Sequence, residues 1–145
     1  MANEQASGHI GRSVLAVVVG IVAGIILTLA TDAGLHKVGY FPPPGQWTHS
    51  GPLAVATAYR AIYSIFGSYV VAWLAPTKPM KHALISGVIG VIATAAGAIA
   101  TWNQNLGPHW YALALIVIAL PCAWVGGKHR VMQLRSTSAS TPATS

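Results

Sequence analysis

Residues 13–35, 52–75, 82–102 and 108–127 form four apolar runs, broken by one aspartate, Asp32, and one arginine, Arg60. A run of about 20 such residues crosses roughly 30 Å of hydrocarbon at the helical rise of about 1.5 Å per residue. The rest of the composition leaves no other solvent for them. Hydrophobic residues make up 54% of the chain and charged residues 7%, against about 25% charged in an ordinary soluble domain. A water-facing surface cannot be assembled from that supply. The expected fold is therefore an all-α membrane protein, a four-transmembrane-helix bundle, occupying residues 12–127 as one domain. A basic residue before the first apolar run resembles a secretory leader. That run is longer than a leader core, and the small-residue site at "TDA" is weak, so cleavage is not expected. Residues 1–11 and 128–145 are polar or low in complexity, the latter ending "STSASTPATS", and are expected to be disordered tails.

Punctuation between the runs fits helices. Pro52 and Pro108 suit the first turn of a helix, where a missing N–H costs nothing. Pro76 and Pro79 separate the second and third spans. Pro42, Pro43 and Pro44 force an extended loop, because each proline turns its predecessor away from helix. Pro121 interrupts the fourth span and is expected to kink it near the Val117 carbonyl.

Basic residues set the orientation. Arg12, Lys78, Lys81, Lys128, Arg130 and Arg135 flank the spans on one side, and the other side carries only Lys37. By the positive-inside rule, both termini lie in the cytoplasm of a cell with a bacterial-type inner or plasma membrane. Trp47, Trp102, Trp110, Tyr40 and Tyr111 then gather at the outer ends, with Trp73 and Trp124 at the inner ones, as an aromatic belt does. The net charge of +6 suits headgroups. Nucleic acid would need those charges on one wetted face.

Within lipid, apolar side chains gain little from one another, so helices associate through small residues and hydrogen bonds. Ala16, Gly20, Gly24 and Thr28 recur every four residues in the first span, and Ser86, Gly90, Thr94 and Ala98 do so in the third, with Gly87 and Gly97 beside them. In the second, Thr57, Arg60, Ser64, Gly67 and Ser68 share a face, with Ile62, Ile65, Phe66, Tyr69 and Trp73 mostly elsewhere. The small, polar face should point into the bundle. Intramolecular packing accounts for these stripes, and a homodimer or a larger membrane complex is the other use they allow.

Arg60 is the exception that demands a partner. It lies about 12 Å below the start of its helix at Pro52, where an unpaired arginine costs about 2.5–3.5 kcal/mol or more. The only acid in any span is Asp32, and the first two helices run antiparallel with a single loop between them. An Asp32–Arg60 ion pair is expected, surrounded by His36, Tyr63, Asn103 and His109. The pair either fixes helix register or forms part of a site for an anion, a proton or a small polar ligand. His36 and His109 at one end and His82 and His129 at the other also raise haem, but nothing in their spacing places two axial nitrogens in one cavity. His36, His49, His109 and Asp32 are of metal-ligand type without a local ligand motif such as HxxxH. No metal or cofactor is expected.

Catalytic signatures are lacking: no GxSxG, no phosphate-binding glycine loop, no paired carboxylates. With one cysteine there is neither an internal disulfide nor a cluster. Two acidic residues in the chain, Glu4 and Asp32, leave little for acid–base chemistry. A proton-coupled exporter would place a carboxylate in the middle of the first span, where residues 20–24 read "GIVAG". The expected role is non-catalytic, an accessory, structural or partner-binding membrane component. The alternative is a carrier or binder of a small solute or proton through the Asp32–Arg60 cluster.

The segments "TDAGLHKVGYFPPPGQ", "AYRAIYSIFGSYVVAWLAPTKPMKHALISGVIG" and "GAIATWNQNLGPHWYALALIVIALPCAWVGG" together resemble a family of small four-span integral membrane proteins of bacteria known as hypothetical proteins. The resemblance covers about residues 12–127. Its most specific pieces are the Asp32–His36 run with its prolines, Ala58-Tyr59-Arg60, "LAP" at 74–76 and "GPHWY" at 107–111. It implies the membrane topology, and no activity, cofactor or catalytic residue.

Overall fold

The computed structural model describes residues 2–139. Four helices account for most of them: α1 (Ala2–Lys37), α2 (Ser50–Leu74), α3 (Pro79–Thr101) and α4 (Trp110–Ala139). No strand occurs among the described residues. Three segments are long and apolar enough to cross a membrane, Ile10–Lys37, Pro79–Thr101 and Trp110–Ser138. The second helix is not among them, because Arg60, four hydroxyl residues of the Ser/Thr type between Ser50 and Ser68, and three tyrosines dilute its apolar content.

Two helix ends differ from the sequence expectation. α1 begins at Ala2 and α4 continues to Ala139, so the segments expected as disordered at 2–11 and 128–139 are drawn as continuations of their helices. Neither segment holds a proline, and the Ala, Glu, Gln, Lys, Arg, Met and Leu residues among them lose little on entering a helix. Residues 1 and 140–145 of the expected tails lie outside the described residues. Pro108 precedes α4 instead of standing in its first turn; its carbonyl accepts the Tyr111 N–H at 3.3 Å in a turn that leads into the helix. α4 passes through Pro121 without interruption.

The start of α3 is set by proline at its N-terminus and by Lys78, whose φ of 47° turns the chain sharply between α2 and α3. At the opposite end the two longer loops meet. Thr48 donates its N–H to the Leu106 carbonyl at 2.8 Å, and Phe41 from the proline loop is buried. That junction holds the α1–α2 and α3–α4 hairpins at a common level.

The interior is made of small residues. Ala16, Ala56, Val71, Ala72, Ala83 and Ala123 are buried, and Val71 is the largest side chain fully buried among the described residues. Close backbone approach takes the place of a bulky core, as expected where hydrocarbon gives side chains no reason to hide. α4 lies in the groove between α2 and α3. A Cβ on Gly126 would fall 2.5 Å from the Ile65 carbonyl oxygen, and one on Gly127 would fall 2.8 Å from the Ala83 Cβ. α1 leans on α2 and touches α3 only lightly. Its crossing with α2 is at Gly20 and Gly67, where a Cβ on Gly67 would come within 2.8 Å of the Gly20 carbonyl oxygen. The larger residues point outward, among them Leu15, Ile26, Ile62, Phe66 and Trp73. Tyr69 departs from that outer face, because its hydroxyl donates to Gln133 Oε1 of α4 at 2.9 Å.

Candidate functional site

Asp32 stands a little over one turn before the end of α1, and Tyr59 and Arg60 stand in the first half of the antiparallel α2. The hairpin therefore brings them to one level. Arg60 Nη2 donates to Asp32 Oδ2 at 2.6 Å. The Tyr59 hydroxyl donates to the other carboxylate oxygen, Oδ1. The ion pair expected from the sequence is thus present, with a second donor that completes it. The side chains are 33% exposed for Arg60 and 20% for Asp32, so neither charge is fully enclosed by the bundle. Each carboxylate oxygen thus accepts one bond from α2 and keeps a lone pair beyond it.

Aromatic rings frame the pair. The Arg60 guanidinium carbon lies 5.9 Å from the centre of the Tyr111 ring of α4, within the range at which a cation is drawn to a ring face. The Tyr59 and Tyr63 rings lie 5.8 Å apart, tilted by 48°. Arg60 thereby links α1, α2 and α4.

The remaining expected members divide. His36 Nδ1 donates to the Asp32 backbone carbonyl at 2.8 Å, its ring packs on Phe41 at 5.3 Å, and it borders a small pocket with Asp32. Tyr63 turns to Thr31, 2.8 Å between hydroxyls, and so ties α1 to α2 beside the pair without touching it. Asn103 and His109 are not brought to the cluster. Both are exposed, and His109 instead closes its own loop, with Nε2 donating to the Trp102 carbonyl at 3.1 Å and the two rings 4.2 Å apart. The α3–α4 loop folds back on itself, which carries these side chains away from α1. Tyr59 and Tyr111 were the members that sequence reasoning passed over. Tyr59 could have been found as the neighbour of Arg60 in the Ala58-Tyr59-Arg60 piece, whereas Tyr111 reads equally well as a belt aromatic.

Two hollows adjoin this cluster, and Arg60 borders both. A pocket of about 140 Å³ lies on the loop side, with Asp32, His36, Thr48, Tyr59, Arg60 and Tyr111 among its walls. A larger cleft of about 410 Å³ runs from Arg60 away from the loops, between α1 and α3 and above α4. Among the described residues, no three His, Cys, Asp or Glu side chains gather as metal ligands. The lone cysteine, Cys122, is buried and unpaired in α4.

Compared with protein-family models, with curated proteins and with solved structures, the chain finds no match in any of the three.

Proposed function

We propose that this chain is a four-span, non-catalytic component of a bacterial-type cell membrane, with both termini in the cytoplasm and an accessory, structural or partner-binding role. The fourth span in this reading is α2, which contacts all three other helices and turns Ile62, Phe66 and Trp73 outward. Supporting the orientation, the basic residues Arg12, Lys78, Lys81, Lys128 and Arg130 fall at the end of the bundle opposite the proline loop. Trp47, Trp102 and Trp110 are exposed at the loop end, and Trp73 and Trp124 at the other. Accessibility of single cysteines to a membrane-impermeant thiol reagent tests this. Cysteines in the proline loop should react from outside intact cells, and those after Lys128 should react only after permeabilisation. Reaction of both from the same side refutes the four-span arrangement.

One observation carries the structural role: Asp32 receives Arg60 on one oxygen and Tyr59 on the other. A carboxylate held by donors from two successive α2 residues pins α1 to α2 at a fixed register. The double variant Asp32→Arg with Arg60→Asp should recover thermal stability lost in each single variant, and failure to recover any of it counts against direct pairing.

The pocket of about 140 Å³ beside the carboxylate favours one second reading, a carrier or binder of a small solute or proton. That reading requires Asp32→Asn to abolish flux or binding while the helices remain inserted.

A further inference from the structure

The cleft of about 410 Å³ falls within the roughly 300–1,000 Å³ typical of small-molecule sites, and its walls are unlike the rest of the molecule. On α1 it runs from Gly20 to Leu29, on α2 from Arg60 to Ser68 and on α3 from Ser86 to Thr94. Each stretch is about 12–14 Å long at the helical rise. The hollow is therefore a channel parallel to the helices, bottomed by Ile118 and Ala119 of α4, and it lies beside the seam where α1 and α3 touch least. In a membrane that seam faces hydrocarbon.

Unmet donors are concentrated at one end. Most hydroxyls along the cleft are already engaged: Thr28 donates to the Gly24 carbonyl at 2.9 Å, Thr94 to the Gly90 carbonyl at 2.7 Å and Ser86 to the Ala83 carbonyl at 2.7 Å. Tyr63 is bound to Thr31. Ser64 is different, for its hydroxyl has no partner among the described residues. It stands one turn from Arg60 on the same face of α2. Arg60 has also not exhausted its donors. A guanidinium carries five N–H groups, Nη2 serves Asp32, and Nε is buried without an acceptor. A buried donor left unmet, as Arg60 Nε is, is costly unless an acceptor arrives, and the exposed Ser64 hydroxyl beside it offers a second bond.

The geometry points to a binding site for a single-chain amphiphile of the fatty-acid type, entering sideways from the bilayer between α1 and α3. Its carboxyl group accepts hydrogen bonds from Arg60 and Ser64. Its alkyl chain follows Ile21, Ile25 and Ile89 towards the crossing of Gly20 with Gly67. One chain fits a hollow of this size, whereas a two-chain phospholipid would leave its second chain outside. The depth of Arg60, about 12 Å below Pro52, suits a small head better than a bulky phosphodiester. The site rests on the chain lying in a membrane, but not on the pinning role of the ion pair.

The probe is a ten-carbon fatty acid with a terminal diazirine, photolysed with the full-length protein in phospholipid nanodiscs. Crosslinked peptides are mapped by mass spectrometry, with and without excess unlabelled decanoate. The expected result is saturable labelling within residues 20–29 and 86–94 that decanoate displaces and decane does not. Gly90→Leu should reduce it at least about tenfold by filling the channel. A Cβ at position 90 meets only the Ala119 Cβ at 3.9 Å, an ordinary contact, so the fold tolerates the start of that side chain. Gly97→Leu adds the same bulk where nothing lies within 4 Å and should leave labelling unchanged. Ser64→Ala should weaken the apparent affinity about fivefold, the loss of one ordinary hydrogen bond of about 1 kcal/mol. Equal labelling in Gly90→Leu and the parent chain overturns the site. So does competition by decane equal to that by decanoate, or labelling confined to outward residues such as Leu15 and Ile26. This last pattern leaves the membrane reading intact, whereas labelling of no residue at all would sink both.

Discussion

Where α4 enters the groove between α2 and α3, Gly126 meets the α2 backbone, Gly127 and Gly87 make room for the Ala83 and Ala123 side chains, and no ion pair takes part. Where α1 meets α2, a single glycine crossing at Gly20 and Gly67 is supplemented by Asp32, Arg60, Tyr59 and the Thr31–Tyr63 hydrogen bond. The first joint is secured on two sides, since α4 touches α2 and α3 extensively. The second has support on one side and an open cleft on the other. Small residues suffice where three helices converge. A helix held by one neighbour needs directional bonds to fix its rotation and depth, because hydrocarbon is indifferent to both.

If that contrast is right, overfilling the three-helix joint is the most damaging change. Gly126→Leu would place its Cβ 2.5 Å from the Ile65 carbonyl oxygen and 2.8 Å from the Tyr69 nitrogen. Both are backbone atoms that cannot rotate aside. Overpacking costs about 1–3 kcal/mol and occasionally more, and here the top of that range is expected, with loss of the folded monodisperse species in detergent. Gly20→Leu strikes an equally close contact at the α1–α2 crossing. Since α1 can swing away on its open side, the expected cost is lower, about 1–2 kcal/mol. The signature should be selective: protease sensitivity and thiol labelling rise along α1 while α2, α3 and α4 stay protected. Equal loss of protection in all four helices would erase the distinction between the joints.

The apolar joints were more legible in the sequence than the polar one. Three of the spans follow from length and composition alone, and the four-residue recurrence of Gly20 with Gly24 and of Ser86 with Gly90 correctly marked inward faces. The ion pair was legible for a different reason, scarcity: Arg60 needs a counter-charge and only Asp32 lies within a span. Scarcity says nothing about neutral neighbours. Asn103 and His109 were assigned to the cluster from depth alone, but the turn after α3 directs His109 to the Trp102 carbonyl. Tyr59 and Tyr111 reach the pair through hydroxyl and ring geometry that no spacing encodes. Helix ends were missed for lack of a stop signal, since nothing like the Lys78–Pro79 turn occurs after Gly127.

Charge at the α1–α2 joint should matter next. Asp32→Asn keeps an acceptor for Tyr59 but leaves Arg60 without a counter-ion. Truncating one member of a buried pair costs about 3–5 kcal/mol; with Arg60 one-third exposed, solvent and headgroups screen part of this, and about 1–2 kcal/mol is expected. A thermal-unfolding shift as large as that of Gly126→Leu would mean that the ion pair, and not the glycine joint, holds the bundle. Tyr59→Phe removes one neutral donor to the carboxylate and should cost about 1 kcal/mol. If the two losses are coupled through the shared carboxylate, the Asp32→Ala/Tyr59→Phe double variant will be less destabilised than the sum of its parts.

The smallest effect comes from a glycine that belongs to neither joint. Gly97 sits beside the α3 stripe by sequence, yet nothing lies within 4 Å of a Cβ placed there. With no neighbour to strike, Gly97→Ala changes only the freedom of the chain, and alanine is favoured over glycine inside a helix by about 0.5–1 kcal/mol. A slightly raised unfolding temperature is therefore expected, opposite in sign to Gly20→Leu and Gly126→Leu. Destabilisation by this single methyl group would place an unseen surface against α3 at that point. Repeating the measurement across a range of protein-to-lipid ratios would show whether that surface belongs to a second copy, because only a contact between copies makes the penalty grow with concentration.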